Sequence, residues 1–286
     1  MSSFSCRLVV FSIALFVVGT STLRATSRET PMQPYEQNRT AWGTTATTRT
    51  QVDVDQGLRA FMLGVYNNMV LGLAVTGLVA LGTFMLATTT GVNGRIALTP
   101  FGQAIYLSPL KWAVILAPLA FVFFFSFRME QMTAATARTV FLLFAAVMGL
   151  SLSSIFVVFT GQSITQVFFI TAAAFGALSL YGYTTKRSLS AMGSFLIMGL
   201  FGLIIASLVN LFLASSALAF AVSVIGVLVF AGLTAWDTQR LKEMYVYGNM
   251  DGEAASKASI FGALSLYLNF INMFQMLLSL FGTRNE

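Results

Sequence analysis

IFGALSLYLNFINMFQMLLSLFG, residues 260–282, decides the architecture. At 1.5 Å per residue a helix of this length covers about 34 Å, enough to cross a hydrocarbon core of roughly 30 Å. The stretch carries no charge, yet Ser265, Asn269, Asn272, Gln275 and Ser279 recur every three or four residues. That spacing lines them along one helical face, while Leu264, Leu266, Phe270, Ile271, Phe274, Leu277 and Leu278 fill the others. A helix facing lipid would not keep such a polar row. The stripe must turn into a bundle or toward a wet cavity, so this helix is expected at the centre. Interhelical hydrogen bonding and a transport path explain it equally well.

Similar apolar runs lie upstream, and the spacing predicts spans near 59–87, 108–127, 138–159, 163–184, 193–213 and 217–236. The expected fold class is an all-α membrane protein, a seven-transmembrane-helix bundle with the seventh helix central. Hydrophobic residues make up 57% of the chain and charged residues 9%, with a mean hydropathy of +0.80. That leaves too little charge for a water-facing surface. The runs are continuously apolar rather than alternating, which excludes a β-barrel. Pro118 is expected to kink the second span. Gly72, Ala74, Gly77, Ala80 and Gly82 in the first would let neighbouring helices approach closely.

The net charge of +6 does not point to nucleic acid, because the basic residues stand singly or in pairs between the apolar runs. They set orientation instead. Arg39, Arg49, Arg59, Arg128, Arg138, Lys186, Arg187, Arg240, Lys242 and Lys257 fall on one side, and only Arg95, Lys111 and Arg284 on the other. The positive-inside rule then puts the N-terminus in the cytoplasm and the C-terminus outside.

Three segments are expected. Residues 1–31 read as an upstream extension or weak signal-like segment, since LVVFSIALFVVG (8–19) is short for a span and is followed by arginines. Residues 32–57 read as a flexible cytoplasmic tail, and 58–283 as the membrane domain.

Histidine is absent and Cys6 is the single cysteine. This excludes Ser-His catalysis, His-ligated metals and a disulfide framework. The last span has no lysine for a retinal Schiff base, no internal repeat suggests a coupled transporter, and one intramembrane acid is too few for an aspartyl protease. The chain is not expected to be an enzyme. That one acid is Asp237, in GLTAWDTQRLK (232–242). Two readings stand for it: an interfacial carboxylate pairing with Arg240 or Lys242, or a buried acid tied to helix packing.

Several segments resemble the Bax inhibitor-1 (transmembrane Bax inhibitor motif) family in its bacterial form. They are FMLGVY (61–66) with GLAVTG (72–77), GLSLSSI (149–155), WDTQ (236–239) and ALSLYLNFIN (263–272). Together they cover roughly 57–283 in the family's order. The resemblance implies a seventh helix surrounded by the other six, and a passive, pH-sensitive calcium or cation leak controlled by two aspartates. The helix-six aspartate carries over to Asp237, the residue expected to meet a transient calcium ion. The helix-seven aspartate falls on Asn269, a departure. Arg128 corresponds to an arginine that pairs with the helix-six acid in some members, and Ser265 and Asn272 flank Asn269 on the polar face. No resident cofactor is implied.

Two adjoining carboxylates repel and share a proton, whereas an amide can donate to its carboxylate neighbour. One charge also holds calcium less well than two. The expectation is a weaker or acid-shifted pH response. The family's other implied role is a non-conducting regulator that binds a quality-control protease or another membrane complex through the tail 32–57 and the loop 237–259. A bacterial inner membrane is the expected location, with an endomembrane as the alternative.

Overall fold

The structure, a computed structural model, describes residues 51–90, 96–128, 132–248, 250 and 252–285. The segment 1–31 and most of the tail 32–57 lie outside these residues. The first described helix, α1, runs Gln51–Ala87 and is followed by a small antiparallel pair, β1 (Thr88–Thr90) with β2 (Ile96–Leu98). Then come α2 (Pro100–Tyr106), α3 (Leu110–Arg128), α4 (Ala134–Leu152) and a short turn, α5 (Ile155–Val158). Four long helices complete the chain: α6 (Gly161–Thr184), α7 (Ser190–Leu213), α8 (Ser216–Tyr247) and α9 (Gly252–Phe281).

Six helices are long and apolar enough to cross a membrane among the described residues: α1 from Asp55, α4 with α5, α6, α7, α8 and α9. The span expected at 108–127 coincides with α3, which runs through Pro118. Several helix starts are capped by hydroxyls, which satisfy free N–H groups. Thr133, Thr160 and Ser215 accept from the backbone of Thr136, Ser163 and Leu218. The tight α7–α8 connection closes where Asn210 Oδ1 accepts the Ser215 N–H at 2.9 Å beside Ala214, whose φ of 52° is left-handed.

Helix α9 is the core. Every residue from Gly262 to Leu278 is buried, so the apolar faces read in the sequence as well as the polar stripe meet protein. It packs mainly against α8, α1, α6 and α4, while α7 lies against α8 and α3 against α4. The expectation of six immediate neighbours is thereby narrowed to four principal ones. The outer faces are apolar and exposed, with Leu78, Phe169, Phe195 and Phe212 among them, as lipid contact requires.

Three sequence expectations change. The sixth helix does not end near 236 but continues to Tyr247, and α9 begins at Gly252, so the loop expected at 237–259 is two helical extensions with a short link. Hydropathy marks where apolar character stops, whereas the backbone goes on helically past it. Glu243 and Glu253, expected in a loop, therefore sit on helices, and Glu253 pairs with Lys257 at 3.3 Å. The third span breaks at Ser153–Ser154, where the serine hydroxyls bond back to the carbonyls of Leu150 and Ser151. Of the small residues in α1, Gly72 admits the Phe141 ring, but Gly77 and Gly82 face open space.

Candidate functional site

Asp237 lies about 15 Å of helix before the end of α8 and is 2% exposed. Its Oδ2 accepts two hydrogen bonds from α9, from Ser265 Oγ at 2.8 Å and from Asn269 Nδ2 at 2.7 Å. Both donors come from the polar stripe. Four residues separate them, one helical turn, so a single carboxylate oxygen can reach both. Charge-assisted bonds of this kind are the strong ones, and here they join α8 to the central helix.

The interfacial pairing with Arg240 or Lys242 does not occur. The Arg240 guanidinium sits 5.5 Å from the Trp236 ring centroid, and Lys242 Nζ donates to the Tyr183 carbonyl at 2.9 Å. Arg240, three residues on, shares that side of α8, but its guanidinium lies against Trp236 while the carboxylate is taken up by the α9 donors. Arg128 is the last residue of α3; its side chain lies outside the described part of the structure.

The stripe continues from Asn269. Asn272 Nδ2 donates to Leu268 O at 2.8 Å within its own helix. Asn269 Oδ1, Asn272 Oδ1 and Gln275 Oε1 are buried with no hydrogen-bond partner. Successive members are separated by about 4.5 Å of helix rise, so acceptor oxygens follow one another from the level of Asp237 toward the other end of α9. Among the described residues no three His, Cys, Asp or Glu side chains gather to hold a metal ion, so Asp237 is flanked by neutral oxygens rather than further acids.

Several residues around this pair carry more than the sequence suggested. Thr238 Oγ1 hydrogen-bonds with Ser179 Oγ at 3.0 Å, and Ser179 Oγ with Tyr66 OH at 2.8 Å, linking α8, α6 and α1. Gln239 clamps the α6–α7 connection, accepting the Leu189 N–H at 2.7 Å and donating to Arg187 O at 2.8 Å. Thr76 Oγ1 bonds with Tyr267 OH at 2.7 Å and donates to Ala145 O at 2.9 Å, tying α1, α4 and α9 together. Backbones meet where glycines allow it: a Cβ at Gly182 would collide with Ala235 O, and one at Gly193 with the Trp236 indole. Tyr66 and Gln239 stood within FMLGVY and WDTQ, but nothing in their spacing marked those partners.

The family profile described as "Inhibitor of apoptosis-promoting Bax1" matches residues 58–286. The chain belongs to the Bax inhibitor-1 family. The inner membrane protein YbhL of Escherichia coli K12 is 46% identical over 229 residues, 80% of this chain and 93% of YbhL. An uncharacterised protein of Caulobacter vibrioides is 46% identical over 238 residues, covering 83% of this chain and 94% of its own length. One from Rickettsia prowazekii is 44% identical over 243 residues, covering 85% and 98%. The likeness to the inner membrane protein YbhL and the long apolar helices together make this a multi-pass inner membrane protein.

Proposed function

We propose that the chain is a seven-span, passive cation leak for ion homeostasis, carrying calcium or another cation under pH control, with α3 as the further span and the N-terminus in the cytoplasm. The observation that supports this reading is the Asp237 carboxylate, buried in the membrane domain and held by Ser265 and Asn269 of the central helix. A carboxylate is costly in a bilayer interior and is retained where it serves an ion path or a packing switch. The unpartnered oxygens of Asn269, Asn272 and Gln275 supply hard neutral ligands beyond it, the donor type that a partly dehydrated cation accepts. With an amide at position 269, the pair has one titrating member, so the pH response is weaker or shifted to acid compared with a carboxylate pair.

Calcium flux into proteoliposomes tests the reading, with wild type, Asp237→Asn and Asn269→Asp compared from about pH 5 to about pH 8. Asp237→Asn should lose the pH response, and Asn269→Asp should strengthen it. Three superimposable profiles from properly assembled protein would sink the proposal.

One observation favours the second reading, a non-conducting regulator that binds a membrane protease or other complex. Helix α8 projects beyond its apolar run, and Tyr247 at its end is 83% exposed. A pull-down with Tyr247→Ser, and with residues 32–57 removed, separates the two. Loss of a partner alongside unchanged flux supports the regulator.

A further inference from the structure

Between α1 and α6 the outer surface is not closed. A groove of about 1090 Å³ runs along the two helices, floored by Phe270 of α9. Small residues make it. Gly77 of α1 and Gly176 of α6 line it, and a Cβ on either would meet nothing within 4 Å. Leu63, Val70, Leu78 and Leu180 along its walls are strongly exposed, as surfaces turned toward acyl chains are.

The groove is apolar along its length but ends in a cation. Arg59 lines one mouth, and the distance from there to Leu78 is about 28 Å of helix, close to the thickness of the hydrocarbon core. Arg59 is exposed, and neither it nor Asp55 one turn earlier forms an ion pair among the described residues. Tyr183 lines the same mouth, and Lys242 Nζ stands 5.3 Å from its ring centroid, adding a second positive charge behind that wall. A long apolar slot with an arginine free of ion pairs at one mouth, and a lysine behind it, complements one kind of molecule, an amphiphile with an anionic head and long hydrocarbon tails.

We infer that the α1–α6 groove is a binding site for an anionic phospholipid, its acyl chains along Gly77 and Gly176 and its phosphate at Arg59. The site touches the interior through Tyr66 and Ser179, which line the groove and lead by hydrogen bonds to Thr238, the neighbour of Asp237. Lipid occupancy therefore reaches the helix that carries the buried acid. Only the leaflet concerned rests on the orientation proposed above; headgroup selection does not.

The test uses the full chain in phosphatidylcholine vesicles with spin-labelled phosphatidylglycerol or phosphatidylcholine as probe. Wild type should immobilise the phosphatidylglycerol label with about a fivefold preference, the size that one arginine near an anionic lipid supports. Arg59→Gln should remove the preference while leaving immobilisation of the phosphatidylcholine label unchanged. Gly77→Leu and Gly176→Leu, which enter open space, should lower immobilisation of both labels without loss of helical circular dichroism. Equal immobilisation of the two labels by wild type, or a preference that survives Arg59→Gln, overturns the proposal. So does a dimer in light scattering that Gly176→Leu converts to monomer, because a second copy would then fill the groove.

Discussion

Asn269 donates its side-chain amide to Asp237 across the α8–α9 contact at 2.7 Å, joining the one buried acid among the described residues to a neutral partner at the centre of the bundle. The bond depends on the amide's N–H, and its loss leaves a buried carboxylate with one donor fewer on Oδ2.

Asn269→Leu should therefore destabilise the protein by about 2–3 kcal/mol, the range for removing one partner from a buried charged acceptor. Thermal unfolding in detergent measures it. Adding Asp237→Asn to this background should recover part of the loss, because the group left underbonded is then neutral. No recovery would mean that the carboxylate's charge is not what Asn269 serves.

Gln239→Ala removes both bonds that hold the connection between α6 and α7, leaving the buried Leu189 N–H without its acceptor. About 1–3 kcal/mol should be lost. The sharper readout is proteolysis, since Lys186 and Arg187 lie in that connection: trypsin should cut there faster in the variant than in wild type. Equal cleavage rates would contradict the clamp.

A matched pair of glycine substitutions separates packing from open surface. Gly182→Ala drives a methyl against the Ala235 carbonyl and should cost about 1–3 kcal/mol, the usual range for overpacking. Gly176→Ala faces free space and should be neutral or stabilising by up to about 1 kcal/mol, because alanine is the better helix former. Melting temperatures in the same detergent compare them directly.

Tyr106 connects α2 to the break after α4, donating its phenol to Ser153 Oγ at 2.9 Å. Burial pushes the phenol above the ordinary tyrosine value, and the bond to Ser153 opposes that rise. A raised folded-state value means the contribution to stability is complete below about pH 10, the unfolded reference, and is lost as pH climbs through the raised value. Tyr106→Phe should cost about 1 kcal/mol at neutral pH and flatten the alkaline decline expected of wild type. A decline of unchanged steepness in the variant would assign it elsewhere.

The helical bundle was legible because lipid imposes a simple rule, long uncharged runs, and α9 broke that rule along one face. Its polar stripe announced a protein-facing helix correctly. It could not announce that Leu264, Leu266 and Phe270 on the other faces are buried too, since apolar side chains suit lipid and protein equally. The same ambiguity hid the helical stretch beyond Asp237, where falling hydropathy resembles a loop. Asp237 itself stood out as the one acid beside a span, but its choice of Ser265 and Asn269 over Arg240 depends on helix rotation, which spacing along one chain does not specify. The clamp by Gln239 comes from partners distant in sequence and left no local pattern, and the hairpin of β1 and β2 is only three residues a strand, too short for alternation to mark.

Because α9 is enclosed by helices that all precede it in sequence, synthesis order and assembly order conflict. The surrounding helices must enter the bilayer before their common axis exists, and they must keep a slot for it until the ribosome has made it. Asn269, Asn272 and Gln275 are the least welcome side chains for lipid in that late segment, so delay exposes them when they are most costly. A chain cut short before α9 would not be trimmed at its edge; it would lose its axle.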